Sequence, residues 1–182
     1  MKVLSWLIRA INALNKLVGN TFSFLAVGIV VVCFWVVVER YIFTTTKLWM
    51  QDLYVWLNGA MFTAVAGFAL LRENHVRVDI FYRPASNRWK AIADMIGVIF
   101  FLIPFVWVVL AYALPFVQRS WRFMENSANV GGMPGLYILK SFVVVFAVLL
   151  GLQALAMLSR SILVLGRRED LVPPDYRYNK AD

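Results

Sequence analysis

The chain has 182 residues, 62% of them hydrophobic and 15% charged, with a net charge of +8 and a mean hydropathy of +0.72. Globular chains hold about 45–50% apolar residues, so this composition excludes an ordinary water-soluble domain and points to the bilayer. One Cys and one His leave a bis-histidine haem, a multi-Cys metal site and a Cys-His dyad unsupplied.

Residues 2–17 predict a basic amphipathic helix. At about 100° per residue, Lys2, Ser5, Arg9, Asn12, Asn15 and Lys16 share one face. Val3, Leu4, Trp6, Leu7, Ala10, Ile11, Ala13, Leu14 and Leu17 share the other, with Ile8 alone on the wrong side. Such a helix is expected to lie in the inner interface plane before turning into the first span, or else to extend that span into the cytoplasm. The uncharged run 17–38 follows. It has a signal-like basic lead, but it is longer than the roughly 7–15 residues of a signal core and ends in Val36-Val37-Val38-Glu39-Arg40 without a small-residue cleavage site. A retained helix is expected.

Three more uncharged runs follow, 53–71, 95–118 and 141–159, each close to the roughly 20 residues that cross a hydrocarbon core. The run 53–71 carries Gly59, Thr63 and Gly67 at four-residue spacing, with Ala60, Ala64 and Ala66 nearby. This small-residue stripe lets a neighbouring backbone approach closely, either inside the bundle or on a partner. Pro104 is expected to kink the run 95–118. Asn58 and Gln153, the notable polar side chains within the runs, suit interhelical hydrogen bonds. The chain therefore reads as an all-α membrane protein, a four-helix transmembrane domain over 1–166 with the N-terminal interfacial helix. The tail 167–182, with Pro173-Pro174 and mixed charges, reads as cytoplasmic and poorly ordered.

Lys and Arg divide thirteen to five in favour of the N-terminal segment, the 72–90 loop and the tail, which puts both termini in the cytoplasm. Trp6 and Trp89 fall near the inner boundary, Trp49 and Trp121 near the outer one, and Trp35, Trp56 and Trp107 read as packing residues within spans. Membrane lipids account for the positive charge without a nucleic-acid partner. No Asp, Glu, Lys, Arg or His lies inside the four runs, which argues against ion coupling within this chain. No phosphate loop, catalytic group, metal site or cofactor site is visible.

Three stretches carry a resemblance. The first is Arg40-Tyr41 with Trp49-Met50-Gln51-Asp52-Leu53 and Trp56; the second runs from Gly67 through Arg72, His75 and Arg77 to Asp79; the third is Ser127 to Met133 with Pro134, where Gly131-Gly132 leads a turn. In this order, over about residues 15–165, the chain resembles the DctQ-like small membrane subunit of tripartite ATP-independent periplasmic (TRAP) transporters. Gln51 departs from the pattern, in which many members carry a second carboxylate beside the Asp52 position. The resemblance implies a non-catalytic scaffold in a bacterial inner membrane. Its partners would be a large membrane subunit that holds the sodium and substrate sites and a periplasmic substrate-binding protein that captures an organic acid. Arg40, Asp52, Gly59, Thr63, Gly67, Arg72, His75, Asp79, Gly132 and Pro134 are the expected structural or partner-contact residues. Arg40 is expected to pair with Asp52 at the outer end. Arg72, His75 and Asp79 would share one helical face that clamps the inner loop or meets the large subunit, or would simply lie in a solvated loop. The outer loop 119–140 either docks the binding protein or only connects. The competing readings are a membrane anchor of a respiratory or quinone-linked enzyme, which needs no fixed motif, and an autonomous multidrug carrier, disfavoured by the lack of an intramembrane carboxylate.

Overall fold

In lipid every backbone amide must be satisfied within its own segment, and these long apolar runs meet that demand as helices. The structure, a computed structural model, describes residues 1–72, 82 and 84–178. Helix α1 covers Lys2–Ser23, α2 Leu25–Tyr41, α3 Leu48–Leu71, α4 Asn87–Gly97, α5 Ile103–Arg122 and α6 Leu136–Leu165. No strand occurs among the described residues. A single turn residue, Phe24, divides α1 from α2, and a π-helical segment, Val98–Leu102, joins α4 to α5. Four helical rods, Lys2–Tyr41, Leu48–Leu71, Asn87–Arg122 and Leu136–Leu165, are thus long and apolar enough to cross a membrane, and each contains one of the uncharged runs.

The expected perturbation at Pro104 is a π turn. Proline lacks the N–H that would bond four residues back, and its ring excludes that carbonyl. The helix takes up an extra residue just before it, with the Ile103 N–H donating to the Val98 carbonyl, as such bulges do. Pro115, also inside α5, produces no break.

Helix α6 is the hub, packing against α1, α3, α4 and α5, while α2 packs chiefly on α3. α1 runs antiparallel along α6: the Met1 methyl reaches Gly166, Asn15 meets Gln153, and the rings of Phe22 and Phe142 stand 5.6 Å apart. The face that packs is Ser5, Ile8, Ile11, Asn15 and Gly19. Ile8, the residue out of pattern on the helical wheel, is wholly buried. Val3, Trp6 and Leu17 of the apolar face are exposed, the reverse of a helix on a water-soluble core. The polar groups are tolerated inside because they have partners: the Ser5 hydroxyl donates to the Leu171 carbonyl at 2.7 Å, and the Asn15 amide donates to Gln153 Oε1 at 2.7 Å.

Two expectations are corrected. Trp35 and Trp107 are 48% and 69% exposed, so they line the outer surface, where the surrounding medium takes the place of a packed core. The tail is ordered through Tyr178: Val172 and Tyr176 are buried, and short 3-10 turns at Glu169–Leu171 and Pro174–Tyr176 fold it back over α1 and α6. Its composition reads as disordered, but two prolines restrict the chain and its aromatics cover a charge that otherwise lacks a shell.

Candidate functional site

Polar side chains gather at two ends of the bundle. The loop end holds residues 42–47 and 123–135; the terminal end holds the N-terminus and the tail.

At the loop end, Asp52 lies near the start of α3, in its second turn, and is 9% exposed. It accepts from Asn129 Nδ2 at 2.9 Å and from the Met133 N–H at 3.0 Å, with the Ser127 hydroxyl beside the same carboxylate. Gly132 is needed for this approach, because a Cβ there would come 2.5 Å from Asp52 Oδ2. The Ser127 N–H bonds the Met133 carbonyl, and Asn126 Oδ1 accepts from the N–H of Gly135, whose φ of +93° suits glycine. Two of the sequence motifs, the acid leading α3 and the turn before α6, therefore form one clasp. Pro134 is exposed at its rim. Arg40 does not join it: Arg40 is exposed, and the acid beside it, Glu39, pairs with Lys47 at 2.7 Å. The expected Arg40–Asp52 pair is replaced by neutral donors, since the loop reaches Asp52 first. Further along the loop, Glu125 is held below the ordinary glutamate range by its bond from Lys140, with a second from Ser120.

The stripe on α3 turns inward. Ala60, Ala64 and Gly67 are buried, and a Cβ at Gly67 would clash with Asn15 Oδ1 and come 3.1 Å from Leu149. Gly59 faces Leu139 of α6, while the Thr63 hydroxyl bonds back to the Gly59 carbonyl at 2.7 Å. Helix α3 ends at Leu71, and the exposed Arg72 lies 5.2 Å from the Phe68 ring. His75 and Asp79 fall outside the described residues.

The terminal end holds the most buried polar cluster, which composition did not announce. Arg160 is 1% exposed and pairs with Asp94 of α4 at 2.7 Å. Its guanidinium is flanked by the rings of Tyr176 and Tyr178 at 4.3 and 4.1 Å. Asp94 also accepts from the Tyr82 hydroxyl at 3.0 Å and the Tyr178 hydroxyl at 2.9 Å. Burial pushes the Tyr178 hydroxyl well above the ordinary phenol range. Gln153, fully buried, extends the network by accepting from Asn15 and donating to the Tyr176 hydroxyl at 2.9 Å. In the sequence Arg160 stands just past an apolar run and reads as a tail charge. The signal that could have found it is its seven-residue spacing from Gln153, which puts both on one face of α6.

Between α3 and the α4–α5 rod an open cleft of about 1310 Å³ has an apolar lining that includes Phe62, Phe101, Phe105 and Phe146. Asp94, at one limit of the cleft, is already engaged. Such a surface suits acyl chains or another helix. Asn58 is a polar group on the outer surface: it is exposed near the middle of α3, between Val55 and Phe62, with no side-chain partner among the described residues.

No curated protein and no solved structure matches the chain. Residues 29–163, which include the Asp52 clasp, the α3 stripe and Arg160, match the family described as tripartite ATP-independent periplasmic transporters, DctQ component, and the chain belongs to that family.

Proposed function

We propose that this chain is the non-catalytic small membrane subunit of a TRAP transporter, a scaffold for sodium-coupled import of an organic acid delivered by a periplasmic binding protein. Family membership supports the transporter component. The basic N-terminal segment, 72–90 loop and tail favour a bacterial inner membrane with both termini in the cytoplasm, so the Asp52 clasp would face the periplasm. There the loop from Arg119 to Lys140 would be available to the docked binding protein, and Asp52 would hold its middle. Arg160, the one buried Arg among the described residues, is paired and covered by aromatic rings, the arrangement of a fixed brace.

The observation that carries the subunit reading is Asn58. An unpaired amide in hydrocarbon costs several kcal/mol, so an outward amide in mid-span calls for a polar partner on another chain. Val55, Asn58 and Phe62 then mark a face for the large membrane subunit. Asn58→Leu is expected to lower recovery of the large subunit with the tagged chain while leaving the chain's own abundance unchanged. Unchanged co-purification and transport would remove this face from the interface.

A further inference from the structure

We propose that the hollow between α1, the end of α3 and the tail binds the phosphate of an anionic phospholipid. The hollow, of about 460 Å³, is lined by Arg9, Asn12, Lys16, Arg72, Pro173 and Asp175, with Ala13 and Leu71 on its apolar wall. That volume lies within the roughly 300–1,000 Å³ of ligand sites.

The charge balance argues for an anion. Arg9, Lys16 and Arg72 face one carboxylate, Asp175, and none of the three has an ion-pair partner among the described residues. Elsewhere Lys47 is matched with Glu39, Lys140 with Glu125 and Arg160 with Asp94. Three cations converging on one hollow repel each other unless an anion enters. Arg9, Asn12, Ala13 and Lys16 lie at spacings of three and four, so one face of α1 presents two cations and an amide together. Asn12 Oδ1 already accepts from Gln153, which turns its amide nitrogen to donation.

The neighbouring surface selects a lipid over a free ion. On one side the basic strip of α1 adjoins the packed face; on the other it adjoins the ridge of Trp6, Leu14 and Leu17, exposed by 68%, 41% and 67%. A charged hollow bordered by an exposed apolar ridge matches an amphiphile, whose phosphate takes the cations while its chains cover the ridge. The long stems of Arg9 and Lys16 can reach from that ridge to the headgroup.

The test uses the full-length chain in mild detergent, titrated with phosphatidylglycerol or phosphatidylcholine of identical chains, with bound lipid counted by native mass spectrometry. Phosphatidylglycerol is expected to bind several-fold more tightly, and each cation replaced by Gln to weaken it about fivefold. Asp175→Asn is expected to strengthen it by a similar factor, an arm that stands even if the triple variant R9Q/K16Q/R72Q fails to fold. The pair R119Q/R122Q, at the loop end, is expected to leave binding unchanged. Equal binding of the two lipids, a preference that survives the triple variant, or no gain from Asp175→Asn would overturn the site. Displacement of the lipid by millimolar inorganic phosphate would assign the hollow to a free anion and overturn the lipid.

Discussion

Replacing Asp94 with Ala takes a carboxylate at 2.7 Å away from the Arg160 guanidinium, in a site only 1% exposed. The removed carboxylate accepts three bonds, from Arg160, Tyr82 and Tyr178, all within 3.0 Å. Breaking a buried pair by deleting one partner costs about 3–5 kcal/mol, because the remaining charge keeps its desolvation penalty. The two tyrosine faces flank the guanidinium in both proteins, which keeps the loss at the lower end of that range. A net loss of about 3 kcal/mol is a large share of a typical total stability of about 5–15 kcal/mol. For a chain of this size it corresponds to a fall in unfolding midpoint of about 6–12 °C. Removing both charges, as in D94L/R160M, takes away the buried ion as well and is expected to recover at least half of that loss. Scanning fluorimetry in a fixed detergent gives the midpoints of wild type, both single variants and the double. Limited trypsin digestion at Arg177, tied to the Val172 and Asp170 carbonyls in the wild type, reports whether the tail has come away. An Asp94→Ala protein with an unchanged midpoint and an equally protected Arg177 would refute the pair as the anchor of the tail. A double variant less stable than either single would refute the desolvation argument.

Gly67→Ala is expected to destabilise by about 1–3 kcal/mol, the usual cost of overpacking, since its Cβ would press on Asn15 Oδ1 and Leu149; Asn15→Ala in the same chain should return most of the lost midpoint. Asp52→Ala removes the acceptor of Asn129 Nδ2 and the Met133 N–H. Faster hydrogen exchange at Met133 with unaltered exchange in α6 is the expected outcome, and Asp52→Asn should be milder. The Glu125 carboxyl titrates below its ordinary range, so the stability it shares with Lys140 is present above the unfolded-state value and is lost as pH falls through the folded one. The acid limb of a midpoint-versus-pH curve should flatten in Glu125→Gln. Tyr178 shifts the other way: its raised value means that its share of stability is complete below the ordinary phenol range and declines as pH climbs above it. Tyr178→Phe should therefore be less sensitive to alkaline pH than the wild type, measured by the same midpoints.

Much of the scaffold could be read from spacing alone. Uncharged runs located four membrane-crossing rods, and the α3 stripe announced a close approach, because small residues at four-residue intervals have few other uses. What spacing could not supply was direction. Ile8 looked misplaced and is the buried residue; Trp107 looked like packing and faces outward. In both cases the hydrophobic pattern was sound, but the inside of this bundle is no more apolar than its surroundings, so hydrophobicity does not identify the buried side. Partners at large sequence separation were also hidden. Asp94 and Arg160 are 66 residues apart, and each taken singly looks like a flanking charge at the edge of a run. The Asp52 clasp lay between these extremes, since both halves were legible as motifs, but their meeting was not.

The π turn at Val98–Leu102 has a consequence for the inward faces of its rod. Asp94 and Val106 both turn toward α6 and are 12 residues apart, whereas three α-turns take about 11. The rod thus carries one residue more than its turns consume. That surplus sets the angle between the polar half that meets Arg160 and the apolar half that packs on Ala147 and Leu150. Like two keys cut on one shaft, the halves keep their common facing when the surplus residue is lost here, because about 11 residues make three whole α-turns. The same change a turn away would rotate one key by about 100° and take its residues off α6.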